Sequence, residues 1–532
     1  MAKSYAQVHT LEDTLSAISP EFYKALEAER NKRQKSDSLY LYSFNANKLH
    51  FTQSSIAQLI ADTTRQAAML QLKYSNYKRH FKLPVAAFKT DVASLYTEGF
   101  TTIGKAKIMG KFYFDKVWDD SLANNLGGDL QNGEPFTHFA LKAGKYERQN
   151  INFEAGIGYF VFRKLYFTSL LNYDYHWSTG SVDPRPDNKL FHLEYTPGLS
   201  YQFMNTTIGA VYSLGKKNGT YDIKYKNRMF STSQLYPERR LYLNNGYGYI
   251  AQYSNAEAYS QSKDKTDSWG VNLATKLAGW HIKANYSNAL FARENFDLTS
   301  QTSNIDNPIK KIVHSKYEMV TQKLDALIYN DNIKRSHQVS FNGFINEGTG
   351  ILMSSPTGAN YLFDEHSAFL QYLLSLKRHN TIKTELGLNA GATHFTKKDF
   401  LASHFYENTT ADISLQFAQY IHAKNQQIKI SASPGISVPL ENNLSVPLTQ
   451  VNVFTRNIVY PEYDFGGSSF FNGKLSIVYY TPRLLRIAGS SLVLDLNYLQ
   501  KITDSDINKE VYQGANGSKN QLQVSLGFQI FL

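Results

Sequence analysis

Cysteine is absent from the 532 residues, and with it any disulfide scaffold, thiolate metal site or cysteine nucleophile. Tryptophan and methionine are scarce, at 4 and 7 residues. No run of eighteen apolar residues occurs, which argues against a helical membrane span. Mean hydropathy is only -0.40. That value still admits a barrel, whose strands turn alternate residues to lipid and line a polar lumen with the rest. The net charge of +11 comes from lysines and arginines scattered along the whole chain, without a sustained basic block. Nucleic acid is therefore not an expected partner. A serine nucleophile elbow, an HExxH pair and a phosphate loop are all missing, so neither enzymatic activity nor a cofactor is expected.

What the chain has in quantity is tyrosine and phenylalanine, 37 and 33 residues, a bias that suits β-strands and interfacial girdles better than helical cores. They fall on a period of two. At the carboxyl end Leu522, Val524, Leu526, Phe528, Ile530 and Leu532 share one face, opposite Gln521, Gln523, Ser525, Gly527 and Gln529. Strict alternation over about eleven residues matches a tilted membrane strand. Phe191, Leu193, Tyr195, Leu199, Tyr201 and Phe203 repeat the pattern against His192, Glu194, Thr196, Gly198, Ser200 and Gln202. The same reading along the chain predicts an all-β, antiparallel up-and-down transmembrane barrel of about eighteen strands over residues 67–532, with sixteen or twenty still compatible.

Connector lengths agree. Short connectors (161–163, 203–204, 278, 331–333, 378–380) alternate with long ones (118–148, 217–265, 292–310, 347–365, 439–469, 501–520), as periplasmic turns alternate with outer loops. Before the barrel, residues 1–66 read as a leader: the end of a signal peptide followed by a periplasmic or luminal segment. Ser4-Tyr5-Ala6 has the small residues of a processing site, 11–35 has helical spacing, and 36–66 is polar and aperiodic. So short a leader is expected to be a luminal constriction, a docking arm or a tether, not the plug of a self-sufficient TonB-dependent receptor.

A more specific pattern lies between residues 100 and 250. Ile108-Met109-Gly110-Lys111-Phe112-Tyr113-Phe114 is followed by Asp183-Pro184-Arg185-Pro186 with Asn188, by Leu199-Ser200-Tyr201, and by Leu243-Asn244-Asn245-Gly246-Tyr247-Gly248. The succession resembles a family of Bacteroidota outer-membrane β-barrel proteins defined only as a domain of unknown function, and covers residue 60 or so to the end. The resemblance implies the fold and a place in the outer membrane of a Gram-negative bacterium, among lipids and lipopolysaccharide. It assigns no activity or site residue. An association with TonB-dependent receptors in that family implies an accessory role in uptake.

Two sets of candidate site residues follow from the pattern itself. Asp174 and His176 on one strand, and His192 and Glu194 on the next, share the polar face, and pairing about the intervening loop sets Asp174 near His192, about 5 Å apart. Such a set suits a transition metal or a proton-sensitive gate, or else is ordinary luminal hydrogen bonding. Arg185, held between two prolines, either contacts a ligand or anchors its loop. In the long loop 217–265, Arg228, Tyr236, Arg239, Arg240 and Tyr247 are candidates for an anionic or sugar-like ligand, or for docking a partner lipoprotein. Alternatively, that loop folds inward and plugs the pore. The expected function is solute transport or uptake beside a TonB-dependent receptor; the alternative is a non-transporting interaction or secretion partner.

Overall fold

The computed structural model describes residues 38–127, 133–162, 164–253, 257–299, 310–355, 358–378, 381–423, 426–481, 489–507, 512 and 519–532. The 11–35 helix and the Ser4–Ala6 processing site lie outside these residues. Eighteen antiparallel strands form one closed sheet, a transmembrane β-barrel, because Gln66–Arg79 pairs on one edge with Lys89–Ile103 and on the other with Asn520–Phe531. The expected alternation is seen on the wall. Leu193, Leu199, Tyr201, Ile208 and Leu214 are exposed on the outside, while Thr196, Ser200 and Ser213 between them are buried on the inside.

Tight turns gather at the inner end. Leu277 and Trp280 are joined by Ala278 and Gly279, with φ of 48° and 83°. Positive φ at both central residues is what a two-residue hairpin needs to match the strand twist. The strands run from 12 to 22 residues and continue outward past the apolar belt. This shortens the expected outer loops: 178–188 contracts to 181–184, and 217–265 to 225–256. Above the membrane both faces meet polar surroundings, so the hydrophobic period fades although the hydrogen-bond ladder goes on.

The polar stretch 36–66, expected to be irregular, contains three short helices: α1 (Ser38–Phe44), α2 (Ala46–Thr52) and α3 (Ile56–Ala61). They lie inside the lumen at the inner end. Helices of six or seven residues are too short to display a period. Ser55 caps α3 by accepting from the Ala57 N–H, and Ile56 to Ile60 are all buried. The wall makes room through glycine: a Cβ on Gly158 would lie 2.7 Å from Ile60, and one on Gly209 3.0 Å from Ala57.

Leu199 sits within the lipid-facing belt, so Leu199→Arg is expected to cost about 2–4 kcal/mol of barrel stability. Urea titration of the protein refolded in lipid vesicles measures this. An unchanged midpoint would mean that this face does not meet lipid.

Candidate functional site

Packed segments narrow the lumen at each end. At the inner end Leu41, Tyr42, Leu49, Ile56 and Leu59 of the helices pack on Met69, Phe100, Met109, Tyr480 and Phe531 of the wall. Polar bolts surround that contact. Lys283 meets Asp62 at 3.0 Å, Lys48 meets Asp331 at 3.3 Å, and Lys111 donates to the Gln53 carbonyl at 2.8 Å. Burial pushes the Asp62 carboxyl up, but the Lys283 ammonium and the Thr64 N–H outweigh it and hold the group at about 2. This bolt is therefore in place at any pH above the ordinary carboxylate range.

The outer closure is built from loops. Phe136–Phe139, Tyr242–Asn245 and Ile250–Gln252 form a small three-stranded sheet across the mouth, beside α4 (Tyr460–Gly466). Phe139, Tyr242, Tyr247, Phe454 and Tyr463 pack there with Tyr317, Tyr361 and Tyr406 of the wall. Asp399, at the top of its strand, accepts from the N–H groups of Tyr247 and Tyr249 at 2.7 and 2.8 Å. Gly248 has φ of 145°, and a Cβ there would fall 2.0 Å from the His404 ring, whose Nδ1 is 2.7 Å from the Tyr247 carbonyl. Only glycine fits both the backbone and the space. Arg293, buried in the wall, holds Asp264 through two nitrogens at 2.8 and 2.7 Å and also pairs with Glu134 of the loop. Burial pushes the Glu134 carboxyl up, and the Arg293 guanidinium beside it opposes that shift.

Between the closures lie two polar lobes. One, of about 550 Å³, is lined by Asn150, Asn152, Asp174, His176, His192 and Lys217. The other, of about 870 Å³, is lined on the opposite wall by Lys323, Asp325, Asn389, Asp412 and Lys474, with Phe51 and Ser54 of the inner closure reaching it. Charges of both signs, amides and hydroxyls face the space beside Tyr113, Phe291 and Phe369, so it suits a polar solute that also offers an apolar face.

The expected pairing of Asp174 with His192 is present: the residues are directly opposite, and His192 Nδ1 lies 2.9 Å from Asp174 Oδ2. His192 Nε2 is 3.8 Å from Glu194, with Gly215 leaving room beside both side chains. His176 Nδ1 is engaged with Asn150 Oδ1 at 2.5 Å on the same lobe wall. Asp174 is thus hydrogen-bonded to His192 and His176 to Asn150 on the lobe wall, with Glu194 beside His192.

The ligand candidates do not converge. Arg185 anchors its loop: its Nε donates to Asp183 at 2.8 Å, and Asp183 accepts from the N–H groups of Lys226 and Asn227. Arg228, Tyr236, Arg239 and Arg240 belong to a knob on the outer surface, where Arg239 lies 4.3 Å over the Phe230 ring and Tyr236 packs edge-on against the same ring. Arg240 donates to the Ser233 carbonyl, and Arg228 stands exposed, 3.7 Å from Glu257. Tyr247 is inside the seal, stacked on Tyr406 and donating to Glu462 at 2.9 Å. Of the two fates expected for the long loop, inward folding holds for 241–253 and an exposed surface for 226–240. The Asn244-Asn245-Gly246-Tyr247-Gly248 stretch was the signal for the seal. Its wall partners Asp399 and His404, and Arg293, which holds Glu134 of the other loop, carried no sequence signal of their own.

Removing a buried cation from two carboxylates is costly, so Arg293→Ala should lower stability by about 3–5 kcal/mol and expose the 123–142 loop to limited proteolysis. A loop that stays resistant would show that the ion pairs do not hold the cap. His138 in the small sheet gives a pH test. Burial pushes its imidazole down to about 4 from 6.5. Above pH 6.5 the imidazole is neutral whether the cap is closed or open; as pH falls from 6.5 towards 4 the open form takes up a proton that the closed form excludes, and the closed cap is destabilised. Proteolysis of the outer loops should rise across that window, and His138→Gln should flatten the rise; an identical profile in the variant would contradict the assignment.

The model of a family of unknown function, DUF6850, matches residues 56–530. No curated protein matches the chain by sequence. Among solved structures, OccAB3 of Acinetobacter baumannii is 10% identical with a TM-score of 0.36, covering 88% of this chain and 99% of its own. BauA of the same organism, the ferric preacinetobactin receptor, is 8% identical with a TM-score of 0.39, covering 88% and 80%. The ferric citrate transporter FecA is 8% identical with a TM-score of 0.39, covering 88% and 79%.

Proposed function

The chain belongs to the DUF6850 family, which carries no assigned activity, and we propose that it is a gated barrel for uptake of a polar solute across a Gram-negative outer membrane. The observation that carries this reading is the double closure. A polar chamber lies between two seals, and both seals are bolted to the wall by ion pairs and hydrogen bonds. A barrel serving only as a scaffold has no need of a polar chamber. A free pore has no need of two closures. A gate needs both, and it also needs seals that come away without unfolding the wall; short helices and loops meet that condition, since the strands keep their own ladder when these leave.

The proposal extends to the setting. The source is a Bacteroidota bacterium, lipids and lipopolysaccharide surround the belt, and the barrel works as an accessory beside a TonB-dependent receptor or a surface lipoprotein. It performs no chemistry on its solute. The exposed apolar tips Met229, Leu235 and Leu448 favour a second reading, in which the outer knob is a contact surface for another protein and the barrel transports nothing.

Planar-bilayer conductance separates the two. The intact chain should show little steady conductance. The double variant Lys48→Met, Lys283→Met, which removes two inner bolts, should show frequent or sustained openings. Silence of the variant in a correctly folded barrel would sink the gate and leave the contact-surface reading standing.

A further inference from the structure

Outside the lumen, a group of side chains on the outer wall has the chemistry of a metal site. In the strand Thr381–Asp399, beyond a register shift at its start, the even residues face outward, as the exposed Leu386 and Leu388 do, while Lys397 and Asp399 reach inward to the cap. His394 is thus external. In His404–Ala423 the exposed Ile413 and Leu415 set the outward parity, which includes Glu407 and Thr409. The next strand, Gln426–Ser445, would turn Glu441 inward if it kept the parity of its exposed Ile436. It does not, because the register shifts: Thr410 faces Pro439 but Thr409 faces Glu441, leaving Leu440 as an extra residue. Such a bulge re-aims the side chains beyond it. Here it swings Glu441 to the outside and Asn442 to the inside, where Asn442 bonds Asn408.

We propose that His394, Glu407 and Glu441 form a binding site for a divalent transition-metal ion of the zinc class on the outer wall of the barrel, above the apolar belt. Their ligand atoms lie within 4.8 Å of one another, a grouping met nowhere else among the described residues. Zinc holds nitrogen and oxygen donors about 2 Å away, so tetrahedral donors stand roughly 3.3 Å apart. The 3.9 Å between His394 Nε2 and Glu407 is close to that, and the exposed Glu441 closes by rotating.

The surroundings orient the donors. His394 Nδ1 lies 2.9 Å from Thr409 Oγ1, and donation to that hydroxyl leaves the Nε2 lone pair facing the carboxylates. This is the outer-shell contact that fixes a metal-binding imidazole. The Asn443 amide reaches both Glu407 at 3.3 Å and Glu441 at 2.8 Å, holding the carboxylates towards one another. Two like charges kept together favour a cation, and among the described residues neither is ion-paired with a lysine or arginine. One imidazole with two carboxylates suits zinc or its neighbours in the series better than magnesium, which prefers oxygen alone. Three protein donors leave a coordination position open to the outside.

The test is calorimetric titration of zinc chloride into the untagged, full-length barrel in detergent, with magnesium chloride as the comparison salt. One zinc per chain is expected, with proton release and no matching magnesium signal. His394→Ala and Glu441→Gln should abolish that site, and Thr409→Val should weaken it about tenfold or more. His192→Ala, in the lumen, should leave it intact. Heat-modifiable gel mobility confirms that each variant remains a folded barrel. Absence of zinc binding in the parent overturns the site, as does a signal that survives His394→Ala or disappears with His192→Ala.

Discussion

A backbone in hydrocarbon has no water to bond, so every N–H and C=O at membrane depth must find a partner within the protein. The seam between Gln66–Arg79 and Asn520–Phe531 meets that requirement here, since it turns an open sheet with two bare edges into a cylinder with none. The ring fixes what each residue can face. Along a strand one side chain meets lipid and the next meets the lumen, and the two ends of the cylinder become the only places where solute, loop or leader can enter.

Those ends are closed by different means. The inner seal is compact, made of three short helices that run directly into the first strand and rest on glycine-lined wall. The outer seal gathers segments from distant parts of the sequence around Tyr247, and its polar backbone is satisfied by wall residues such as Asp399 and His404. Both combine an aromatic or aliphatic contact with ion pairs at its border. Buried charges of this kind contribute little net stability beyond what apolar packing would give, but they penalise any misplaced seal, because a carboxylate or guanidinium would then be left buried without its partner. The charged bolts therefore act chiefly on where each seal sits.

The barrel was legible in the sequence because lipid imposes a period that survives strand by strand: Leu522 to Leu532 and Phe191 to Phe203 show it without any partner in view. The pairing of Asp174 with His192 followed from the same parity and a short loop. What escaped was set by contacts between distant segments. The helices of 38–61 hide their period because each is only six or seven residues long. The fate of His176 depended on Asn150, a strand away on its other side. The candidate arginines and tyrosines of the long loop were grouped by nearness in sequence, but the chain leaves the knob at Arg240 and enters the seal by Tyr242, so neighbours in sequence serve opposite surfaces. Glu441 could not be placed by alternation at all, since one extra residue reverses its side.

The central claim is a polar chamber inside an oil-facing wall, with ends that open only transiently and pass small molecules but not large ones. The absence of native cysteine makes a single introduced thiol an unambiguous reporter. With Asn389→Cys in the chamber and Leu388→Cys on the adjacent lipid face, labelling of the folded barrel in vesicles is the direct measurement. A small water-soluble thiol reagent should react at position 389 and not at 388, and a polymer-linked maleimide at neither until the protein is denatured. Rapid polymer labelling of position 389 in the folded protein, or equal labelling of the two positions by the small reagent, would contradict the account.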